Sequence, residues 1–144
     1  MLLRTRTTRV AAAAALGVAL ATGISGCAGD TPANGAHAEL KDLPPQAFAE
    51  RAATPGVVVL DVRTPQEFAA GHLPGAINVD VEAPDFATRI AQLDTSVPYA
   101  VYCHSGNRSA AAMQQMAAAG FTDLADLAGG ITAWAQAGGT IVTG

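Results

Sequence analysis

Two apolar runs constrain this chain more than any other feature. Val57 to Val62 reads VVVLDV, and Tyr99 to Tyr102 reads YAVY. Neither run alternates apolar with polar residues. A run of that kind is a strand covered on both faces, hence a central strand of a parallel sheet. Parallel strands need long crossovers, usually helices, and helical patterns fill the gaps here. Thr64-Pro65-Gln66-Glu67 starts a helix by three signals at once. Thr64 can cap, Pro65 suits the first helical position and Glu67 completes a capping box. That helix ends at Gly71, and Ala76 to Val79 is a short strand. Phe86 to about Leu93 and Ser109 to Ala119 are helices, the second closed by Gly120 with Phe121 folding back on Met116. Asp123 to Leu127 is a last strand, and Gly129-Gly130 leads into a helix from Ile131 to Ala137. Upstream, Pro44 and Pro45 open a short helix to about Ala53, and Thr54-Pro55-Gly56 is a turn. The expectation is one α/β domain: a parallel sheet with helices on both faces.

Composition narrows the function. Half of the 144 residues are apolar, but 33 are alanine and only 5% are aromatic, so the core is thin and helix-rich. The formal net charge of −4 argues against nucleic acid, which needs a basic footprint. Two cysteines exclude a disulfide scaffold and a four-cysteine zinc site, and three scattered histidines give a metal centre no support. There is no dinucleotide fingerprint and no Walker loop, so no cofactor is implied.

The first residues read as a targeting segment. Arg4, Arg6 and Arg9 precede an alanine-rich apolar run from Val10 to Ile24. A positive n-region followed by a short h-region is an export signal, and the run falls short of the roughly 20 residues that span a bilayer. It ends in Ile24-Ser25-Gly26-Cys27, which resembles the lipobox of bacterial lipoproteins. That resemblance implies cleavage before Cys27 and lipid on its sulfur. The domain would then be exported and held at the outer face of the cell membrane or its periplasmic face. The alternatives are an uncleaved anchor and an ordinary signal peptide with a chance cysteine. Cleavage would remove three of the eight basic residues and none of the twelve acids. The expected organisation is a signal over residues 1–26, a small polar tether over 27–38 and the folded domain over 39–143.

The chemistry falls between a strand and a helix, in Cys103-His104-Ser105-Gly106-Asn107-Arg108-Ser109. Ligands of open α/β sheets bind outside the carboxyl ends of the strands, and Cys103 follows the YAVY strand. The loop after it is small and polar, and Gly106 permits unusual dihedrals. Such a loop can turn successive backbone N–H groups inward as an anion-binding nest. The start of the next helix and the charge of Arg108 add positive potential. All three features favour a thiolate over a thiol. The opposing reading, a buried apolar cysteine, explains neither the glycine nor the arginine. His104 is by default a solvated loop histidine that can help hold an anion when protonated.

CHSGNRS at 103–109 resembles the active-site loop of the rhodanese family, often Cys-x-x-Gly-x-Arg-Ser. LDVRTPQEFAAGHLPGAINV at 60–79 and LAGGITAW at 127–134 resemble two further segments of that family, in the same order. The resemblance spans roughly residues 39–138 and implies a rhodanese-like fold, a five-stranded parallel sheet flanked by helices. It also implies sulfur transfer. The thiolate of Cys103 would take a sulfane sulfur from thiosulfate or a similar anion, hold it as a persulfide, and pass it to cyanide or a thiol. His104, Ser105, Gly106, Asn107, Arg108 and Ser109 would bind the donor and the persulfide, with Arg108 orienting the donor's oxyanion. Asp61 and Arg63 match the family's Asp-x-Arg and would brace the loop; a purely structural pair at the strand end is the simpler account of them. His72 reads as a turn residue and Trp134 as a core or rim anchor.

Two other readings stand beside catalysis. A rhodanese module can serve sulfur carriage, redox sensing or protein interaction without turnover; the retained cysteine favours catalysis. The related phosphatases and arsenate reductases place one residue more between cysteine and arginine than the four found here, which argues against phosphate. The donor, the acceptor and any protein partner are not legible in the sequence.

Overall fold

The structure is a computed structural model and describes residues 38–144. The expected export signal, Cys27 and all but the last residue of the tether lie outside the described residues. Within the described residues ten elements follow in order: β1 (Glu39–Leu43), α1 (Pro45–Ala52), β2 (Val58–Asp61), α2 (Pro65–Ala70), β3 (Ile77–Asn78), α3 (Phe86–Ile90), β4 (Tyr99–Tyr102), α4 (Asn107–Ala118), β5 (Asp123–Leu127) and α5 (Gly130–Gln136).

The five strands form one parallel sheet in the order β1-β5-β4-β2-β3. The YAVY strand is its centre, with all four residues buried. Phe86 and Ile90 of α3 and Ala112, Met113 and Met116 of α4 pack one face, over Leu60, Val101 and Leu124. Phe48 of α1 and Ile131 of α5 pack the other, over Val59, Ala100 and Leu127. This is the expected two-faced α/β layering, with side chains alternating between two apolar cores.

Local signals act as their chemistry dictates. Thr64 accepts from the Glu67 N–H while the Glu67 carboxylate accepts from the Thr64 N–H, closing the capping box with Pro65 in the first turn. At the end of α4, Gly120 takes φ 98°, the Gly120 N–H donates to Ala117 O and the Phe121 N–H donates to Met116 O, both at 3.1 Å. That is a Schellman ending.

Residue-by-residue patterning finds four strands, and the structure adds β1. Its burial is slight and one-sided, with Leu40 46% exposed, and three of its five residues are charged. Such a strand lacks the continuous apolar run of a central one because it lies at the sheet edge, where charges deter pairing with other chains. It pairs with β5 from Glu39↔Asp123 to Leu43↔Leu127.

Candidate active site

The central strand delivers Cys103 to the carboxyl end of the sheet, between β4 and the first turn of α4. Gly106 makes the turn possible, with φ 101° in the left-handed region where a side chain would be strained. Its N–H donates to Cys103 Sγ at 3.1 Å, and the Ser109 hydroxyl donates to the same sulfur at 3.4 Å. Burial pushes the Cys103 thiol up, but the Ser109 hydroxyl and the N–H groups of Ser109, Ser105 and Gly106 outweigh it. The net shift is downward, toward a thiolate. Cys103 is only 1% exposed, so the sulfur lies at the bottom of the loop rather than on its rim.

A pair of glycines, Gly129 and Gly130, supports the loop from below. The Cys103 carbonyl accepts from the Ile131 N–H at 2.9 Å, and the His104 carbonyl accepts from the Thr132 hydroxyl at 3.0 Å. A Cβ on Gly130 would stand 2.5 Å from the carbonyl oxygens of both Cys103 and His104. Gly129 and Gly130 take φ 73° and 59°. The Gly-Gly step therefore lets the start of α5 approach the active-site backbone, a role that its reading as a mere lead-in to a helix did not contain.

Arg108 leaves the loop sideways. Its Nη2 donates to Glu67 Oε1 at 2.7 Å and its Nη1 donates to Glu67 Oε2 at 2.8 Å and to Glu82 Oε2 at 3.1 Å. The expectation that Arg108 orients a donor anion meets a guanidinium already clamped by two carboxylates. The reason is that α2, fixed by its capping box, presents Glu67 across the loop. Hydrogen bonds from Arg108 hold the Glu67 carboxyl at about 2, and Glu67 in turn keeps Arg108 firmly protonated. The Arg108 charge still acts on the Cys103 sulfur through space.

Asp61 and Arg63 form a buried ion pair one layer away. Arg63 Nε donates to both Asp61 oxygens at 3.0 and 3.1 Å, and Nη2 donates to the Gly71 carbonyl at 2.7 Å. Asn78 Nδ2 donates to the Asp61 and Arg63 carbonyls at 3.1 and 2.7 Å. The pair ties β2, the end of α2 and β3 together. Its link to the loop runs through Tyr102, whose ring lies 5.6 Å below the Arg63 guanidinium and whose hydroxyl accepts from the Leu73 N–H at 3.0 Å. His72 stacks on Phe68 at 3.8 Å between ring centres and bridges to Val142. Trp134 meets Phe48 edge-on and donates to the Thr140 carbonyl.

Among the described residues, no three His, Cys, Asp or Glu side chains gather as a metal site. Two cavities flank the loop. One of about 320 Å³ is bordered by Arg63, Glu67, His104 and Thr132. The other, of about 390 Å³, lies behind the loop and is bordered by Asp42, Gly106, Asn107 and Asp126.

Residues 44–137 match the rhodanese-like domain family. The chain belongs to the rhodanese-like family. It is 38% identical over 96 residues to thiosulfate sulfurtransferase GlpE of Pseudomonas putida, covering 67% of this chain and 86% of that one. It is 42% identical over 89 residues to thiosulfate sulfurtransferase 16, chloroplastic, of Arabidopsis thaliana, covering 55% and 74%. The rhodanese-related protein of Thermoplasma volcanium superposes with a TM-score of 0.63 at 30% identity, over 71% of this chain and 97% of that one. The five-stranded parallel sheet with flanking helices is the rhodanese-like fold, and the chain is a rhodanese-type enzyme, a sulfurtransferase in general terms.

Proposed function

We propose that this rhodanese-type sulfurtransferase carries sulfane sulfur as a persulfide on Cys103, with thiosulfate or a similar anion as donor. The observation that carries the reading is the sulfur's seat: Sγ 3.1 Å from the Gly106 N–H and 3.4 Å from the Ser109 hydroxyl, at the start of α4. Inward N–H groups and a helix N-terminus stabilise an anion at that point.

The Cys103 thiolate attacks the outer sulfur of thiosulfate. A new S–S bond forms, the donor's S–S bond breaks, and sulfite leaves with the electron pair. The negative charge now lies on the outer sulfur of the persulfide. The N–H groups of residues 104–109 hold that charge, as preorganised donors do for a developing anion. Cyanide or a thiolate then attacks the outer sulfur and leaves with it, and the Cys103 thiolate is restored. Arg108 contributes charge to the seat while Glu67 and Glu82 fix its position. Asp61 and Arg63 hold the end of β2, and Arg63 covers the ring of Tyr102, the β4 residue just before the loop. The narrow loop and the 1% exposure of Cys103 suit a small donor and shield the persulfide from bulk oxidants.

Purified full chain incubated with thiosulfate and cyanide is expected to produce thiocyanate, and Cys103→Ser to produce none. Folded wild type without turnover overturns the reading.

The N-terminal segment extends the proposal to location. Residues 1–26 act as an export signal, and Cys27 carries the lipid that anchors the domain outside the cell membrane. Support comes from the order of arginines, apolar run and Ile24-Ser25-Gly26-Cys27. Labelled fatty acid should enter the chain in a bacterial host and be lost in Cys27→Ser; label retained without Cys27 overturns it.

A further inference from the structure

Asp126 is a buried carboxylate that the sulfur chemistry above does not use. It lies near the end of β5, is 5% exposed, and its Oδ1 has no hydrogen-bond partner. A polar oxygen taken out of water without a partner costs free energy, and buried charges are as a rule paired. Burial pushes the Asp126 carboxyl up to about 6, so near neutrality most molecules still carry its charge. A group with hydrogen-bond donors and a positive charge would complete it.

There is room for such a group beside the carboxylate. Asp126 borders the cavity of about 390 Å³ behind the active-site loop. Gly106 keeps part of this space open. A Cβ on Gly106 would stand 3.6 Å from the Gly129 nitrogen and 4.0 Å from both Asp126 Oδ2 and the Leu127 carbonyl oxygen. Two acceptors therefore flank one point, while the Gly106 N–H is turned to Cys103 Sγ. Asp42, the cross-strand neighbour of Asp126 on β1, is exposed and borders the same cavity. Lys41 borders it too, but its ammonium pairs with Glu39 at 3.2 Å. Apolar groups complete the wall: Leu40 from β1, and Ala110 and Met113 from α4.

We propose that this cavity binds a small organic cation, a primary ammonium on a short apolar chain, with its head against Asp126 and its chain against Leu40, Ala110 and Met113. An ammonium has donors only, which matches the Asp126 carboxylate and the Leu127 carbonyl. Its charge also relieves the opposition of Asp42 and Asp126 across the β1–β5 pair. A hard divalent ion is a poorer match. It takes about six or more oxygen ligands, whereas no third His, Cys, Asp or Glu joins these two acids among the described residues. Cys103 does not border the cavity, so the site is separate from the sulfur seat and stands whether or not Cys103 carries sulfur.

The probe is n-butylammonium, titrated into the full chain at mildly alkaline pH while amide and methyl resonances are followed by NMR. Saturable shifts are expected at Gly106, Asn107, Ala110, Gly129 and the Met113 methyl. The neutral analogue n-butanol should bind at least about tenfold more weakly. Asp126→Asn should weaken n-butylammonium by a similar factor, since it replaces a charged acceptor with a neutral one. Ala110→Leu, at an exposed position of α4, should fill the cavity and abolish binding. This second variant keeps the proposal falsifiable should Asp126→Asn fail to fold. Absence of saturable shifts at these residues overturns the proposal. Equal binding of n-butanol overturns it as well, because the charged head would then count for nothing, and so does undiminished binding to either variant. Magnesium that occupies these residues in preference to n-butylammonium overturns the organic class of the ligand.

Discussion

Glu67 and Arg108, 41 positions apart, meet in a two-pronged ion pair at 2.7 and 2.8 Å, while the same Glu67 closes the capping box on Thr64. One carboxylate thus fixes both the start of α2 and the flank of the active-site loop. Glu67→Gln is expected to lower stability at neutral pH by about 1 kcal/mol, a figure discounted for the partial exposure of the pair. The contribution is fully present above the ordinary glutamate range and is lost as pH falls toward about 2, because the folded state holds the carboxyl down. Urea unfolding at neutral pH and in acid checks this: the gap between wild type and variant should narrow in acid.

Gly130→Ala is a second test of the site's support. The new Cβ would press on the Cys103 and His104 carbonyls at 2.5 Å, and backbone cannot yield there as a flexible side chain would. With the added strain of φ 59°, destabilisation of roughly 2 kcal/mol or more is expected. Sulfur transfer should fall at least tenfold even below the melting transition, since loop geometry is displaced directly. Activity equal to wild type at a temperature where both are folded would contradict the account.

Asp126 opposes Glu67 in its pH dependence. Its folded carboxyl is raised to about 6, so its favourable contribution is complete in acid and disappears as pH rises through that value. Asp126→Asn should therefore stabilise the domain near neutrality, by about 1–3 kcal/mol. In acid, where the native carboxyl is already neutral, the two proteins should unfold alike. Thermal melts at two pH values decide the sign.

Tyr102→Phe isolates a purely structural contribution beside the nucleophile. The Leu73 N–H, which donates to the Tyr102 hydroxyl at 3.0 Å, would be left buried without an acceptor. A cost of about 1–2 kcal/mol is expected, measured as a shift in the denaturant midpoint at unchanged m-value. Burial pushes the Tyr102 hydroxyl far up, so the loss should not vary from mildly acidic pH to the alkaline limit of folding.

Much of this could be read from local sequence because its physics is local. The Thr64–Glu67 box, the Gly120 stop and the central YAVY strand each depend on residues within one turn or one run, and each is where patterning placed it. What patterning did not contain depends on the assembled sheet. The Glu67–Arg108 clamp exists only because α2 and α4 flank the same loop. β1 is an edge strand with polar residues, so its run carries no buried signature. Asp126 sits in a strand that was legible, but its raised carboxyl follows from burial in the assembled sheet and from the charge of Asp42 beside it. The Gly129-Gly130 step was visible as glycines, whereas its reason, the closeness of α5 to the Cys103 carbonyl, is a tertiary contact.

The most direct test of the central claim is the mass of the Cys103 peptide after brief exposure of the full chain to thiosulfate without an acceptor. A gain of one sulfur atom on that peptide, removed by cyanide with release of thiocyanate and absent in Cys103→Ser, is the predicted result. An unmodified Cys103 in a folded protein that still turns over thiosulfate would contradict the account, because sulfur would then be transferred without ever residing on the residue that the loop is built around.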